Sequence, residues 1–253
     1  DVAITNATLA VGDGSEPVQG ATVVIRGGRV VAAGPGVTVP AGVETVDGTG
    51  RWVTPGLFSA MTTLGLSDLE AVDDSNDERA RQSPFSAALD VQTALNPASE
   101  SVSVARAAGI TRASVVTRPS ASIFGGQGAV VDLGADPRMV VRPRAFQLVT
   151  LGEMGGAIAG GSRASAHALL RNALREAREY GRDPALTGGG RARPVETGDD
   201  IPIDPRLVDT QGERRDDVLL TRFDAAALGP VVNGQQPLYV HVERASDIRQ
   251  VLA

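Results

Sequence analysis

Apolar and polar positions follow two regimes along this chain. Over residues 2–53, short apolar runs of strand length are broken by glycine-rich turns. Ala21-Thr22-Val23-Val24-Ile25-Arg26 and Arg29-Val30-Val31-Ala32-Ala33 are separated only by Gly27-Gly28, a pair that predicts a tight hairpin. Val2-Ala3-Ile4-Thr5 and Ala7-Thr8-Leu9-Ala10-Val11 read as further strands, followed by a turn at Gly12-Asp13-Gly14-Ser15. Val43-Glu44-Thr45-Val46 adds another and leads through Asp47-Gly48 to Arg51-Trp52-Val53.

From Leu57 onward the pattern alternates strand with helix. Residues 70–81 are strongly charged and read as a solvated loop over the mouth of the fold. A helix is predicted over 100–108, stopped by Gly109, and a buried parallel strand over 110–117. Gly125-Gly126-Gln127-Gly128 reads as a glycine turn ahead of Ala129-Val130-Val131-Asp132-Leu133. Phe146-Gln147-Leu148-Val149-Thr150-Leu151 is the next strand. The clearest helix spans 162–180, where Ala166, Leu169, Leu170, Ala173, Leu174, Ala177 and Tyr180 repeat at helical spacing on one face. Residues 181–217 hold Gly, Pro, Asp and Arg with almost no apolar periodicity and read as a flexible insertion. A helix over 224–232 is expected to break at Gly229-Pro230. A strand at Pro237-Leu238-Tyr239-Val240-His241-Val242 precedes a last helix capped by Ser246 or Asp247.

Composition narrows the function classes. At 253 residues the chain can bury a sizeable core, and a formal net charge of -6 gives no basic groove for nucleic acid. No apolar run is long enough to span a membrane. All 24 basic residues are arginines, and with no lysine the chain can form neither a Schiff base through a side-chain amine nor a carboxylated lysine. The absence of cysteine excludes disulfides and thiolate metal ligands. The chain opens at Asp1 rather than a methionine, which implies a removed leader or tag; location stays unknown, an exported or periplasmic protein being one option.

The stretch Arg51-Trp52-Val53-Thr54-Pro55-Gly56-Leu57-Phe58-Ser59-Ala60-Met61-Thr62-Thr63-Leu64 resembles the start of the barrel in the amidohydrolase superfamily of metal-dependent hydrolases. The family pattern is T-P-G-hydrophobic-hydrophobic-D-x-H-x-H, whose two histidines bind metal at the end of the first barrel strand. Thr54-Pro55-Gly56-Leu57-Phe58 match it. The aspartate falls on Ser59, and the histidines fall on Met61 and Thr63, which are poor ligands for such a metal. The hairpin I-R-G-G-R-V-V-A-A-G and the segment V-D-G-T-G-R-W-V-T-P-G-L agree with the family in order and spacing. P-L-Y-V-H-V-E-R-A-S-D-I resembles the stretch where imidazolonepropionase-like members place a metal-binding histidine.

The resemblance implies an α/β fold: a partial (β/α) TIM-like barrel of the metal-dependent hydrolase type over 54–253, preceded by a small β-sandwich over 1–53. A whole barrel takes about 250 residues, so roughly five strand/helix units fit here. It implies a hydrolase of C–N bonds in cyclic amides or peptide-like substrates, using a water activated by a divalent metal, zinc first among them. Glu153 and His241 are the expected ligands of a reduced single-metal site. Each has an ordinary alternative, a loop carboxylate paired with arginine and a hydrogen-bonded histidine. His167 reads as a solvated helix residue. Gly125-Gly126-Gln127-Gly128 lacks the Lys-Ser/Thr of a phosphate loop, and Asp73, Asp74, Asp77 and Glu78 lack calcium-loop spacing. The rival reading is a scaffold kept as a binding or assembly module without metal. In either case the partial barrel is expected to be completed by further polypeptide or by a homo-oligomer, since an open parallel edge is normally covered.

Overall fold

The computed structural model describes residues 1–68, 72–134, 138–182 and 219–252. It divides into two compact units, Asp1–Leu57 and Phe58–Ala253. Most of the predicted insertion over 181–217 lies outside the described residues, and so do residues 70 and 71 of the charged loop.

In the first unit, β1 (Val2–Leu9), β2 (Val18–Arg26), β3 (Arg29–Gly34), β4 (Glu44–Asp47) and β5 (Trp52–Val53) join in one mixed sheet. The expected sandwich is met only as far as this single sheet. β1 and β2 run antiparallel, as do β2 and β3, while β4 and β5 pair parallel with successive parts of β1. The Gly27-Gly28 hairpin forms as predicted: Arg26 pairs with Arg29, and both glycines have positive φ, 55° and 73°, as a two-residue primed turn needs. The two strands expected over residues 2–11 are one strand, β1. Asn6 bends it with φ at 57° and shifts the register between Ile4 and Ala7.

The second unit holds a curled five-stranded sheet in the order β10-β9-β8-β7-β6. Its strands are β6 (Leu57–Thr62), β7 (Ile110–Val115), β8 (Phe124–Asp132), β9 (Val140–Thr150) and β10 (Leu238–His241). β8 is antiparallel to both β7 and β9, and β10 is parallel to β9. So β7, β9 and β10 share one direction with a reversed strand set between the first two. This corrects the expectation of an all-parallel sheet in which 110–117 has parallel neighbours. The link from Val115 to Phe124 is too short for a parallel crossover, which needs roughly a dozen residues.

The glycine run is not a turn but the first half of β8. Its glycines admit close neighbours: a side chain on Gly128 would overlap the Phe146 ring, and one on Gly126, whose φ is 83°, would press on the Leu89 carbonyl. Phe146 in turn stacks on Tyr239 of β10, with ring centroids 4.2 Å apart.

The helices are α1 (Glu100–Ala107), α2 (Glu153–Ile158), α3 (Arg163–Arg182), α4 (Arg222–Val232) and α5 (Ala245–Leu252). Ala166, Ala173, Ala177 and Tyr180 of α3 pack with Leu228 of α4 against Val149 of β9 and Leu151 just past its end. Burial of such apolar area stabilises this layer by roughly 25 cal/mol per Å². Two carboxylates lie inside it. Glu176 of α3 accepts the backbone amides of Leu219 and Leu220 at 3.0 and 2.9 Å. Asp224 accepts those of Ser86 and Ala88 at 2.8 Å each, and the Thr221 hydroxyl at 2.8 Å. Thr221 caps α4 by accepting the Asp224 amide.

α4 does not break at Gly229-Pro230; Pro230 is inside it and its carbonyl accepts the amides of Gln235 and Gln236 just past the helix end. Neither Ser246 nor Asp247 caps the last helix. α5 already includes both, and the Asp247 carboxylate faces Arg163.

Candidate functional site

The ends of β6, β7, β9 and β10 open into one cleft of about 1050 Å³, at the upper end of the size of ligand sites. Met61, Thr63, Glu78, Arg118, Thr150 and His241 are among its walls, with Leu148 and Met154 supplying apolar surface. In barrel folds of this type, strand ends are where reacting groups collect.

Met61 takes a left-handed backbone conformation, φ 56°, at the end of β6, and its amide donates to Ser114 Oγ at 2.8 Å. A methionine in that region is strained, and such strain gathers at sites that hold a ligand. Thr63 donates its hydroxyl to Glu78 Oε1 at 2.9 Å. The other Glu78 oxygen lies 3.4 Å from Arg118 Nε, and the Arg118 amide donates to the Glu78 carbonyl at 2.7 Å. Glu78 is therefore not the solvated loop residue expected. It is anchored beside the two positions where the family pattern has histidines.

His241 lies where the period-2 alternation of β10 puts it. Leu238, Val240 and Val242 pack toward the helical layer, while His241 faces the cleft with about half its side chain exposed. Its Nδ1 lies 3.4 Å from Thr150 Oγ1 and 3.7 Å from Glu243 Oε1. Glu243 in turn accepts the Glu153 amide at 2.9 Å and lies over Gly152, where an added side chain would displace it.

Glu153 starts α2, and its carboxylate is engaged elsewhere. Oε1 lies 3.3 Å from Arg163 and 3.4 Å from Arg244, and Arg163 continues to Asp247 at 3.4 Å. Met154, not Glu153, is the α2 residue on the cleft wall. The structure thus brings His241, Met61 and Thr63 to one cleft and leaves the Glu153 carboxylate in an arginine network. His167 is half-buried on α3 and lines neither this cleft nor the smaller cavity near α4.

The residues present do not fit a metal. Among the described residues no three His, Cys, Asp or Glu side chains come together, and Met61 and Thr63 offer a soft thioether and a neutral hydroxyl. Of the cleft residues, Arg118 and Thr150 were not singled out in the sequence, and Glu78 was weighed only as part of an acidic loop. Arg118 alone carries a signal, a charge just past the end of a buried strand.

No family model matches the chain. Over 49 residues it is 47% identical to an imidazolonepropionase from Acidiphilium cryptum (strain JF-5), a stretch making up 19% of this chain and 12% of that protein. Over its whole length it matches the crystal structure of an amidohydrolase from Thermotoga maritima MSB8, with a TM-score of 0.73 and 21% identity. The chain is related to the amidohydrolase superfamily. It spans 61% of the Thermotoga protein, and its curled sheet corresponds to part of a barrel, not a closed one. The superfamily is one of hydrolases, generally metal-dependent, so the donor set at Met61 and Thr63 sets this chain's cleft apart from the family pattern.

Proposed function

We propose that the strand-end cleft binds a small-molecule or peptide-like ligand without a metal centre built from this chain's described residues. The observation that carries this reading is the Thr63–Glu78–Arg118 arrangement. A hydroxyl and an arginine hold the carboxylate beside the family's ligand positions, so its negative charge is compensated by a guanidinium and needs no metal ion. His241 and the Arg118 guanidinium supply hydrogen-bond donors, and Met61, Leu148 and Met154 supply apolar contact. The half-barrel would be closed by further polypeptide or by a second copy; its likeness to 61% of a longer amidohydrolase supports that expectation.

A second reading keeps the reaction: a superfamily hydrolase acting on C–N bonds of cyclic amides through a reduced single-metal site. The position of His241 at a strand end on the cleft wall favours it. Glu153 would then have to leave Arg163 and Arg244 to become a ligand. Hydrolysis of a hydantoin by the purified chain, with and without added zinc, separates the two. The binding reading expects no turnover above the buffer rate in either case. Zinc-dependent turnover that disappears in His241→Ala would establish the second.

A further inference from the structure

A smaller cavity of about 220 Å³ lies on the side of the sheet that carries α3 and α4. Its inner wall is apolar: Ile123, Phe124 and Leu220 are buried, and Leu169 of α3 closes the far side. Its lining also carries hydroxyls and two ionisable residues, exposed Arg118 and buried Asp224.

The hydrogen-bond capacity of that polar lining is unbalanced. Asp224 is 2% exposed, and its oxygens already take two backbone amides and the Thr221 hydroxyl. It has little capacity left for a ligand. Ser83 and Ser122 accept the amides of Phe85 and Phe124, at 3.0 and 3.3 Å, which leaves each O–H free to donate. Thr117 and Ser120 direct their protons to the carbonyls of Gly125 and Ala80. Arg118 engages Glu78 through Nε alone, and its terminal amino groups have no partner among the described residues. Free donors therefore stand at the mouth of an apolar chamber, and the one carboxylate there is satisfied. A ligand that complements this has an anionic oxygen group at the rim and a short hydrocarbon body inside.

We propose that this cavity is a binding site for a small organic anion, with Arg118 and the Ser83 and Ser122 hydroxyls holding its oxygens. Arg118 and Thr117 also border the larger cleft, so the same guanidinium can serve either space. The proposal goes beyond the reading of the larger cleft and does not depend on it.

Titration calorimetry on the full chain tests it with three probes of one shape: butyrate, butyramide and butylamine. Butyrate is expected to bind about tenfold or more tightly than the other two, the scale of a charge-assisted hydrogen bond. Arg118→Gln should weaken butyrate by about the same factor, and Ser122→Ala by a smaller one. Leu169→Phe, which narrows this cavity and leaves the larger cleft alone, should abolish butyrate binding while circular dichroism shows the fold kept. No butyrate binding up to about 50 mM, far weaker than specific sites, would overturn the proposal. So would equal binding of butyramide, or butyrate binding that survives Arg118→Gln or Leu169→Phe.

Discussion

The helical layer and the strand-end mouth of the larger unit both depend on carboxylates, and they use them in opposite ways. In the layer, Glu176 and Asp224 are 3% and 2% exposed and hold backbone amides of distant segments. At the mouth, Glu78 and Glu153 are partly or largely exposed and are held by arginines. A carboxylate that fixes backbone amides is a structural anchor, because removing it orphans buried donors. A carboxylate paired with guanidinium in partial exposure contributes little to stability and a great deal to where charge sits. None of these four carboxylates is free of a protein partner.

That contrast can be broken by substitution, and the largest effect should be at Asp224. Asp224→Ala leaves the amides of Ser86 and Ala88 buried without acceptors, at an expected cost of about 3 kcal/mol in urea unfolding. A loss within the scatter of surface variants would show that this carboxylate is not an anchor. Gly128→Ala comes next. The added methyl meets the Phe146 ring, and overpacking of this kind costs about 1–3 kcal/mol on the same measurement.

Much of this fold was legible in the sequence wherever one local rule acted alone. The glycine pair at 27–28 could form only a primed turn, the stripe from Ala166 to Tyr180 could bury only one face, and the alternation in β10 fixed the side on which His241 lies. Residues whose roles depend on distant partners were not legible. Glycines 125, 126 and 128 looked like a turn because the bulky neighbours they admit, Leu148, Leu89 and Phe146, lie elsewhere in the chain. Asp224 reaches amides 136 and 138 residues away, and Glu78 meets a threonine and an arginine from two other elements. The cleft was half visible: the family resemblance pointed to His241, which lines it, while Glu153 takes the alternative of an arginine partner, with Arg163 and Arg244 coming from other elements.

Glu153→Ala sharpens the comparison from the mouth side. With its carboxylate two-thirds exposed, the expected loss is at most about 1 kcal/mol, far below that of Asp224→Ala. A loss as large as that of Asp224→Ala would place Glu153 among the anchors.

The smallest effect is in the separate lead-in sheet. Asp47 accepts the Thr49 hydroxyl at 2.7 Å and the Thr49 amide at 3.1 Å, and these bonds hold its carboxyl below the ordinary value of 3.8. A depressed carboxyl favours the folded form above about 3.8 and loses that contribution as pH falls through the lower folded value. Thr49→Ala should move the Asp47 midpoint up toward 3.8 in a carboxyl-carbon NMR titration. An unmoved midpoint would show that the hydroxyl is not the cause.

The central claim is that the mouth of this half-barrel, in this chain, is charge-compensated by Arg118 and not by a metal. Elemental analysis of the chain, purified after expression in zinc-supplemented medium and dialysed, tests it most directly, with His241→Ala protein run alongside. The account predicts metal well below stoichiometric in both proteins and no difference between them. Stoichiometric metal in the parent protein that is lost in His241→Ala would contradict it.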